Sequence, residues 1–187
     1  MSRNFSLRPG DNVLEIGPVI GFGTVKMSRL VGKEGRVVSV EADEKAFGVL
    51  KMNIEQNSIT NAIVSNYAIG DENKDKVTFL ETGMQANSLV RMKGAKREPV
   101  TMRKVTTAIE ETGLTPNFMI LTINGYELNV LQSCKNFLNE CRLMRMIVTG
   151  WYSDEEGRFG PRIIDLLKSV GFRVIAATGM HVFAFNP

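Results

Sequence analysis

The stretch Asn12-Val-Leu-Glu-Ile-Gly-Pro-Val-Ile-Gly-Phe-Gly23 joins a short apolar run to a turn that carries three glycines. A short apolar run closed by glycine is typical of a strand buried on both faces of a parallel sheet. Residues 24–31 have apolar side chains at helical spacing and stop at Gly32, so they predict a helix. Residues 36–41 predict a second strand. Together these segments predict the first strand–helix–strand unit of a parallel sheet.

The same alternation continues along the chain. Asp43 can cap a second helix, whose buried face carries apolar side chains three or four residues apart (Phe47, Leu50 and Ile54). Further strands are predicted over residues 62–66, 118–123 and 143–148, and further helices over residues 106–112, over residues 126–139 and from Pro161 onward.

Two regions depart from this alternation. Residues 77–80 and 100–102 are short β-like runs without a helix between them, which predicts an exposed loop or an antiparallel excursion. Residues 172–177 and 181–185 predict two strands whose link is so short that they must be antiparallel. The predicted fold class is therefore α/β: a doubly wound, mostly parallel sheet with an antiparallel last strand, in a three-layer αβα sandwich. No linker or repeat interrupts it, so we predict a single domain over residues 1–187.

Composition narrows the class of protein. A chain of 187 residues with 43% hydrophobic residues can bury one core without disulfide or metal. Its longest apolar runs are far shorter than the roughly 20 residues that span a bilayer, and its start lacks the pattern of a secretory signal. We therefore expect a cytoplasmic protein without membrane contact. The spacing of Cys134 and Cys141 fits core positions, and no metal site is indicated.

Ligands of such open sheets bind beyond the carboxyl ends of the strands. Gly17 and Gly21 let the backbone turn close to a ligand, and Glu41 ends the second strand 24 positions after Gly17. A carboxylate at that position accepts hydrogen bonds from ribose hydroxyls. Glycines after a strand can also do no more than form the turn. The acids Glu15 and Glu41 and the antiparallel last strand favour a nucleotide-type ligand.

Two ligand classes match this pattern. A dinucleotide requires a second glycine where its pyrophosphate touches the backbone, but Val19 occupies that position, and Pro18 before it lacks an N–H. S-adenosylmethionine carries no phosphate, and turn amides with an acid such as Glu15 can hold its methionine group. The sequence therefore favours S-adenosylmethionine.

The chain resembles class I S-adenosylmethionine-dependent methyltransferases, whose fold is Rossmann-like, and among these it is similar to the FkbM-like family. The resemblance extends from Asp11 to Phe185 and rests on residues 13–24, 35–43, 47–50, 53–57, 66–71 and 118–131. It implies a methyltransferase that uses S-adenosylmethionine as its cofactor.

The resemblance also implies roles for individual residues. The cofactor would contact seven of them: Glu15, Gly17 and Gly21 at its methionine part, Glu41 and Ala42 at the ribose, and Tyr67 and Ala68 at the adenine. On the acceptor's side, Asn124, Glu127 and Trp151 follow the next two strands, where the methyl group would point. Trp151 and its neighbour Tyr152 can also serve only to cover the edge of the core.

The sequence departs from the family pattern at the acceptor's side. The family typically has asparagine in place of Val19, acids in place of Thr122 and Asn124, and an acid near Thr149. Glu127 alone remains of that acidic set. We therefore identify no catalytic residue, and expect a different acceptor, a different base or no catalysis.

Three functions follow from these observations. The first is O-methylation of a small-molecule or sugar-type acceptor. The second is methylation of RNA, because residues 91–104, from Arg91 to Lys104, carry six bases and one acid, for a local charge of +5 against −2 for the rest of the chain. The third is a catalytically inactive scaffold. Phosphate binding, as in a dehydrogenase, is a distant fourth, and the sequence does not indicate an oligomeric state.

Overall fold

A computed structural model describes residues 6–81, 96–177 and 180–187. In these residues the strands are β1 (Asn12–Ile16), β2 (Arg36–Val40), β3 (Ala62–Ser65), β4 (Ala68–Ile69), β5 (Lys74–Glu81), β6 (Lys96–Arg103), β7 (Phe118–Leu121), β8 (Arg145–Thr149), β9 (Ser153–Asp154), β10 (Gly157–Arg158), β11 (Arg173–Ala177) and β12 (His181–Phe185). The helices are α1 (Phe22–Val31), α2 (Glu44–Gln56), α3 (Val105–Thr112), α4 (Glu127–Ser133), α5 (Lys135–Glu140) and α6 (Phe159–Ser169).

Seven strands form the main sheet, in the order β11-β12-β8-β7-β1-β2-β3. Every pair from β8 to β3 is parallel, whereas β12 is antiparallel to both β8 and β11. The predicted fold class is therefore confirmed. The strand order reverses between β1 and β7, and in such sheets this switch point is where ligands bind.

Successive side chains of β1 point to opposite faces of the main sheet. Leu14 and Ile16 pack into the large core cluster that also holds α4 and α6, whereas Val13 packs beneath α1 against Met27 and Val31. Neighbouring residues of a strand point to opposite faces of the sheet. Glu15 therefore shares the α1 face with Val13.

A buried ion pair lies at the amino end of the main sheet. The Arg145 guanidinium binds the Asp11 carboxylate, stacks over the Phe118 ring at 4.9 Å and donates to the Ser6 carbonyl. Because a charge buried without a partner is very unfavourable, these contacts allow both residues to sit in the interior.

The two β-like runs in the middle of the chain form an antiparallel excursion, as predicted. β5 pairs antiparallel with β6, and β4 joins β6 to complete a separate three-stranded sheet. Of the basic segment, Arg91 and Lys93 and the side chains of Lys96 and Arg97 lie outside the described residues. Arg103 lies 3.3 Å from the Asp75 carboxylate and 3.9 Å from that of Glu111.

Two local predictions differ from the structure, and one small element was not predicted. The helix predicted over residues 126–139 is two helices, α4 and α5, because the backbone departs from helical geometry at Cys134, with φ −106° and ψ 18°. Helix α6 begins at Phe159, so Pro161 lies in its first turn, where an N–H would have no helical partner. The small β9–β10 hairpin was not predicted from the sequence. Within the described ranges, no helix combines the length and apolar character needed to cross a bilayer.

Candidate functional site

The carboxyl ends of β1, β2 and β7 and the residues after β3 border one cleft with about 500 Å³ of empty space. That volume includes solvent at the open mouth of the cleft. The residues that line the cleft are Ile16, Gly17, Val19, Val40, Glu41, Ala42, Tyr67, Ala68, Ile69, Thr122, Ile123, Asn124 and Tyr126. Six of the ten predicted site residues are among them: Gly17, Glu41, Ala42, Tyr67, Ala68 and Asn124.

Gly17 allows two strand ends to meet at the floor of the cleft. Its φ is +85°, and a Cβ on it would lie 1.9 Å from the Thr122 carbonyl oxygen. The Gly17 N–H donates to Val40 O on the other side. The chain therefore needs glycine here for close packing of its own backbone, in addition to any approach by a ligand.

Glu41 holds the turn after β1 against the end of β2. Its Oε2 accepts from the Val19 N–H at 2.8 Å, and its Oε1 accepts from the Asp43 N–H at 2.9 Å. The side chain lines the cleft but is buried, and this burial raises the pKa of Glu41 to about 7. A carboxylate oxygen can accept more than one hydrogen bond, so Glu41 keeps capacity to accept from ligand hydroxyls besides its backbone partners.

Val19 adopts a backbone conformation that is unfavourable for valine. Its φ is 56°, in the left-handed region, which costs a β-branched residue about 1–2 kcal/mol. Asparagine tolerates this region well, and asparagine is the residue that the FkbM-like pattern has at this position. Val19, which carries this backbone strain, is also the residue whose N–H binds Glu41.

We expect Val19→Asn to stabilise the protein by about 1 kcal/mol, because asparagine relieves the left-handed strain and keeps the N–H bonded to Glu41. Thermal unfolding of the ligand-free protein measures the change. Val19→Ala serves as the control, since alanine has no side-chain group that favours this conformation. An unchanged or lowered midpoint in Val19→Asn would show that the valine side chain contributes packing that outweighs the strain.

Glu15 and Gly21 are predicted cofactor contacts that do not line the cleft. The Glu15 carboxylate lies beneath α1, where it accepts from the Thr24 and Ser39 hydroxyls at 2.6 and 2.7 Å. Burial raises its pKa. Gly21 begins α1 with φ +81°, and a Cβ on it would lie 2.2 Å from the Leu50 side chain. Glu15 therefore joins α1 to β2, whereas the Gly21 N–H donates to the Pro18 carbonyl and closes the turn that contains Gly17 and Val19.

The far wall of the cleft follows β3. Tyr67 and Ala68 line it together with Ala42 and Ile69, which gives a largely apolar surface. Asn66 supports this wall, because its side-chain amide donates to the Glu41 and Ala42 carbonyls at 2.8 and 3.3 Å. Sequence analysis assigned Asn66 no separate role, although a polar residue directly after a buried strand is the signal that could have indicated one.

The acceptor's side of the cleft is built by the turn between β7 and α4. Glu127 is fully buried, and its carboxylate accepts from the Ile123 and Gly125 N–H groups at 2.9 and 2.8 Å. Burial raises its pKa. The turn holds Asn124 in a left-handed conformation with φ 57°. The structure therefore uses Glu127 to shape the turn that presents Asn124, and Glu127 itself does not line the cleft.

The residues that replace the expected acids lie close together. The Thr149 hydroxyl donates to the Thr122 hydroxyl at 3.2 Å. The Tyr152 hydroxyl donates to Asn124 Oδ1 at 2.9 Å. Trp151 is 53% exposed beside Tyr152 and does not line the cleft. This side of the site is thus neutral and rich in hydroxyl and amide groups.

Tyr126 is a cleft residue that the sequence analysis missed. Its hydroxyl donates to Asp71 Oδ1 at 3.0 Å, and burial raises its pKa to about 12. Burial also raises the pKa of Tyr67 to about 12. Both phenols stay protonated at neutral pH. Across the part of the chain that the structure describes, no group of three or more histidine, cysteine or acidic side chains could hold a metal ion.

Known proteins resemble this chain in sequence. The family model described as "Methyltransferase FkbM domain" matches residues 15–174. A probable cobalt-precorrin-6B C(15)-methyltransferase (decarboxylating) from Saccharolobus solfataricus is 41% identical over 58 residues, which cover 31% of this chain and 29% of that protein. A protein-L-isoaspartate O-methyltransferase from Thermotoga maritima is 37% identical over 82 residues, 42% of this chain and 26% of that protein. The matches thus span less than a third of each relative's length.

Solved structures share the fold at low sequence identity. A putative rRNA-methylase from Clostridium thermocellum superposes with a TM-score of 0.60 at 12% identity, over 98% of this chain and 89% of that one. Fibrillarin from Aeropyrum pernix, solved with natively bound S-adenosyl-L-methionine, gives a TM-score of 0.60 at 13% identity, over 97% and 69% of the two chains. At such identities these likenesses show the fold alone.

Proposed function

The chain belongs to the FkbM methyltransferase domain family, and from this premise we propose that it binds S-adenosylmethionine in the cleft and methylates a hydroxyl oxygen of a small neutral acceptor. The observation that carries the proposal is the buried Glu41 carboxylate at the end of β2, which lines the cleft with hydrogen-bonding capacity to spare. The methyltransferase relatives and the neighbour with bound S-adenosyl-L-methionine support it.

The residues of the cleft fit this cofactor. Glu41 would accept hydrogen bonds from the two ribose hydroxyls, and the apolar wall of Ala42, Tyr67 and Ala68 would contact the adenine. When bound, S-adenosylmethionine supplies a methyl group on a sulfonium centre, which leaves as a neutral thioether.

The chain's own contribution to methyl transfer is positioning. Thr122 and Asn124 line the acceptor's side, where a hydroxyl and an amide can orient an acceptor oxygen toward the methyl group. Holding two reactants in line removes much of the entropic barrier. Of the cleft-lining residues that the structure describes, Glu41 carries the single carboxylate, and we assign it to the ribose. The site therefore orients the acceptor without a dedicated base.

This proposal predicts that the affinity for S-adenosylmethionine depends on pH. The pKa of Glu41 is about 7 in the free protein, and ribose hydroxyls bind its ionised form better. The affinity should therefore rise as the pH rises through 7, and should be about tenfold higher at pH 8 than at pH 6. Calorimetric titrations at the two pH values measure this ratio.

The control for the pH dependence is Glu41→Gln. This variant keeps the shape of the side chain but has no titrating carboxylate, so its binding profile reports only the ionisation of the ligand. The difference between the two binding profiles measures the contribution of the Glu41 carboxylate. Parallel profiles for the two proteins would show that the carboxylate does not contact the cofactor.

A further inference from the structure

Two aromatic side chains lie next to a residue of the acceptor's side of the cleft. Trp151 and Tyr152 directly follow β8, and their ring centroids lie 4.6 Å apart at an interplanar angle of 51°. The Tyr152 hydroxyl donates to Asn124 Oδ1, which connects this pair to a residue that lines the cleft. Trp151 is 53% exposed, so about half of the residue is accessible to a ligand.

The segment that carries the two rings is fixed on both sides. The Gly150 N–H donates to the Met180 carbonyl, and the Phe159 N–H donates to the Tyr152 carbonyl, each at 2.8 Å. The β9–β10 hairpin that follows is tied to α6, because Arg162 pairs with Asp154 and Glu156 at 2.7 and 2.6 Å. The pair therefore needs little ordering when a ligand binds, which favours affinity.

The polar side chains that line this side of the cleft, Thr122 and Asn124, carry no charge. The Thr122 and Thr149 hydroxyls share a hydrogen bond, and the Thr122 hydroxyl lines the cleft, where it can exchange a further hydrogen bond with a ligand oxygen. Asn124 adds a carboxamide on the same side of the cleft. The exposed Trp151 residue contacts Tyr152, which bonds the neutral Asn124 side chain, and this combination matches the chemistry of a sugar ring. Such a ring has an apolar C–H face that packs on aromatic surfaces and hydroxyls that exchange hydrogen bonds.

We propose that Trp151 and Tyr152, joined to the cleft through Asn124, form an acceptor subsite for a neutral sugar ring that stacks on the Trp151 indole. This inference rests on the proposed function, because it names the class of acceptor for the same site. In the proposed reaction a ring hydroxyl oxygen forms a bond to the methyl carbon, the bond from sulfur to that carbon breaks, and the hydroxyl proton passes to water.

The protein provides its own probe, since Trp151 is its single tryptophan. Intrinsic fluorescence is measured while methyl α-D-glucopyranoside, methyl α-L-rhamnopyranoside or catechol is added, with and without S-adenosylhomocysteine. We expect a saturable change with at least one pyranoside. The Thr122→Val variant should weaken this binding severalfold, because the hydroxyl that exchanges a hydrogen bond with the sugar is lost.

Saturation-transfer NMR with the same pyranosides tests the ring itself. Trp151→Ala should weaken binding about tenfold, and Trp151→Phe should restore part of it, because phenylalanine keeps an aromatic face for the ring. Phe22→Ala is the matched control, since Phe22 is an exposed aromatic residue on α1, 73% exposed, that does not line the cleft. It should bind like the unaltered protein.

These experiments distinguish failure of the sugar subsite from failure of the proposed function. A response to catechol alone, or to none of the three compounds, would overturn the sugar subsite. Equal pyranoside binding by Trp151→Ala and the unaltered protein would also overturn it. If calorimetry shows that S-adenosylhomocysteine does not bind, the proposed function fails, and the titration without it still decides whether Trp151 binds a pyranoside.

Discussion

Gly17→Ala is expected to destabilise the protein by about 3–4 kcal/mol, or to prevent folding. The alanine Cβ would lie 1.9 Å from the Thr122 carbonyl oxygen, which belongs to the backbone and cannot rotate away. Forcing β1 and β7 apart would cost packing on both strands. The positive φ of +85° adds roughly 1 kcal/mol for any L residue with a side chain. Chemical denaturation of the two proteins measures the difference.

The Gly10→Ala variant separates the cost of the positive φ from the cost of the contact with Thr122. Gly10 has nearly the same conformation, with φ +86°, but no atom lies within 4 Å of the position of its Cβ. This variant should lose about 1 kcal/mol, the cost of the backbone conformation alone. Equal losses of unfolding free energy at the two positions would mean that the contact between Gly17 and Thr122 does not constrain the strands. An alanine side chain would then fit at position 17.

Glu41→Ala is expected to weaken binding of S-adenosylmethionine by about 100-fold. The variant removes the acceptor for two ribose hydroxyls, and hydrogen bonds to a charged group contribute roughly 1.5–3 kcal/mol each. It also leaves the N–H groups of Val19 and Asp43 without their acceptor, so part of the loss comes from a less ordered turn. Calorimetry at pH 8 measures the affinity.

Two further variants isolate the role of the carboxylate. Glu41→Gln keeps an oxygen for one backbone N–H and should fold normally, yet it should bind the cofactor at least tenfold more weakly because the charge is gone. Glu44→Ala removes an exposed acid from the first turn of α2 and should leave the affinity unchanged. Full affinity in Glu41→Gln would show that the cofactor, if bound, does not depend on this carboxylate.

The sequence predicted the main sheet well because hydrophobic periodicity reports burial directly. The buried strands β1, β2 and β7 are short apolar runs, and the three-residue link before β12 leaves antiparallel pairing as the only arrangement. The break between α4 and α5 was missed because Cys134, where the helix stops, is neither glycine nor proline. Local sequence carries no signal for such an interruption when packing of the helices decides it.

The candidate site could be predicted only in part. Residues at strand ends, such as Glu41, were located because parallel strands end at one edge. The resemblance assigned Glu15 to the cofactor, although alternation along β1 places its side chain beneath α1, where it binds the Thr24 and Ser39 hydroxyls. The use of Glu127 to shape a turn depends on backbone conformations at Asn124 and Gly125, which residue types alone do not specify. The cofactor roles of these residues stay predictions until binding is measured.

The central claim is that the cleft between the ends of β1, β2 and β7 holds S-adenosylmethionine. Isothermal titration of the purified protein with S-adenosylmethionine, and separately with NAD, at pH 8 tests it most directly. We expect saturable binding of one S-adenosylmethionine per chain and no heat of binding from NAD. Well-folded protein that binds no S-adenosylmethionine, or that binds NAD in its place, would contradict the claim and favour a scaffold or a dinucleotide site on the same fold.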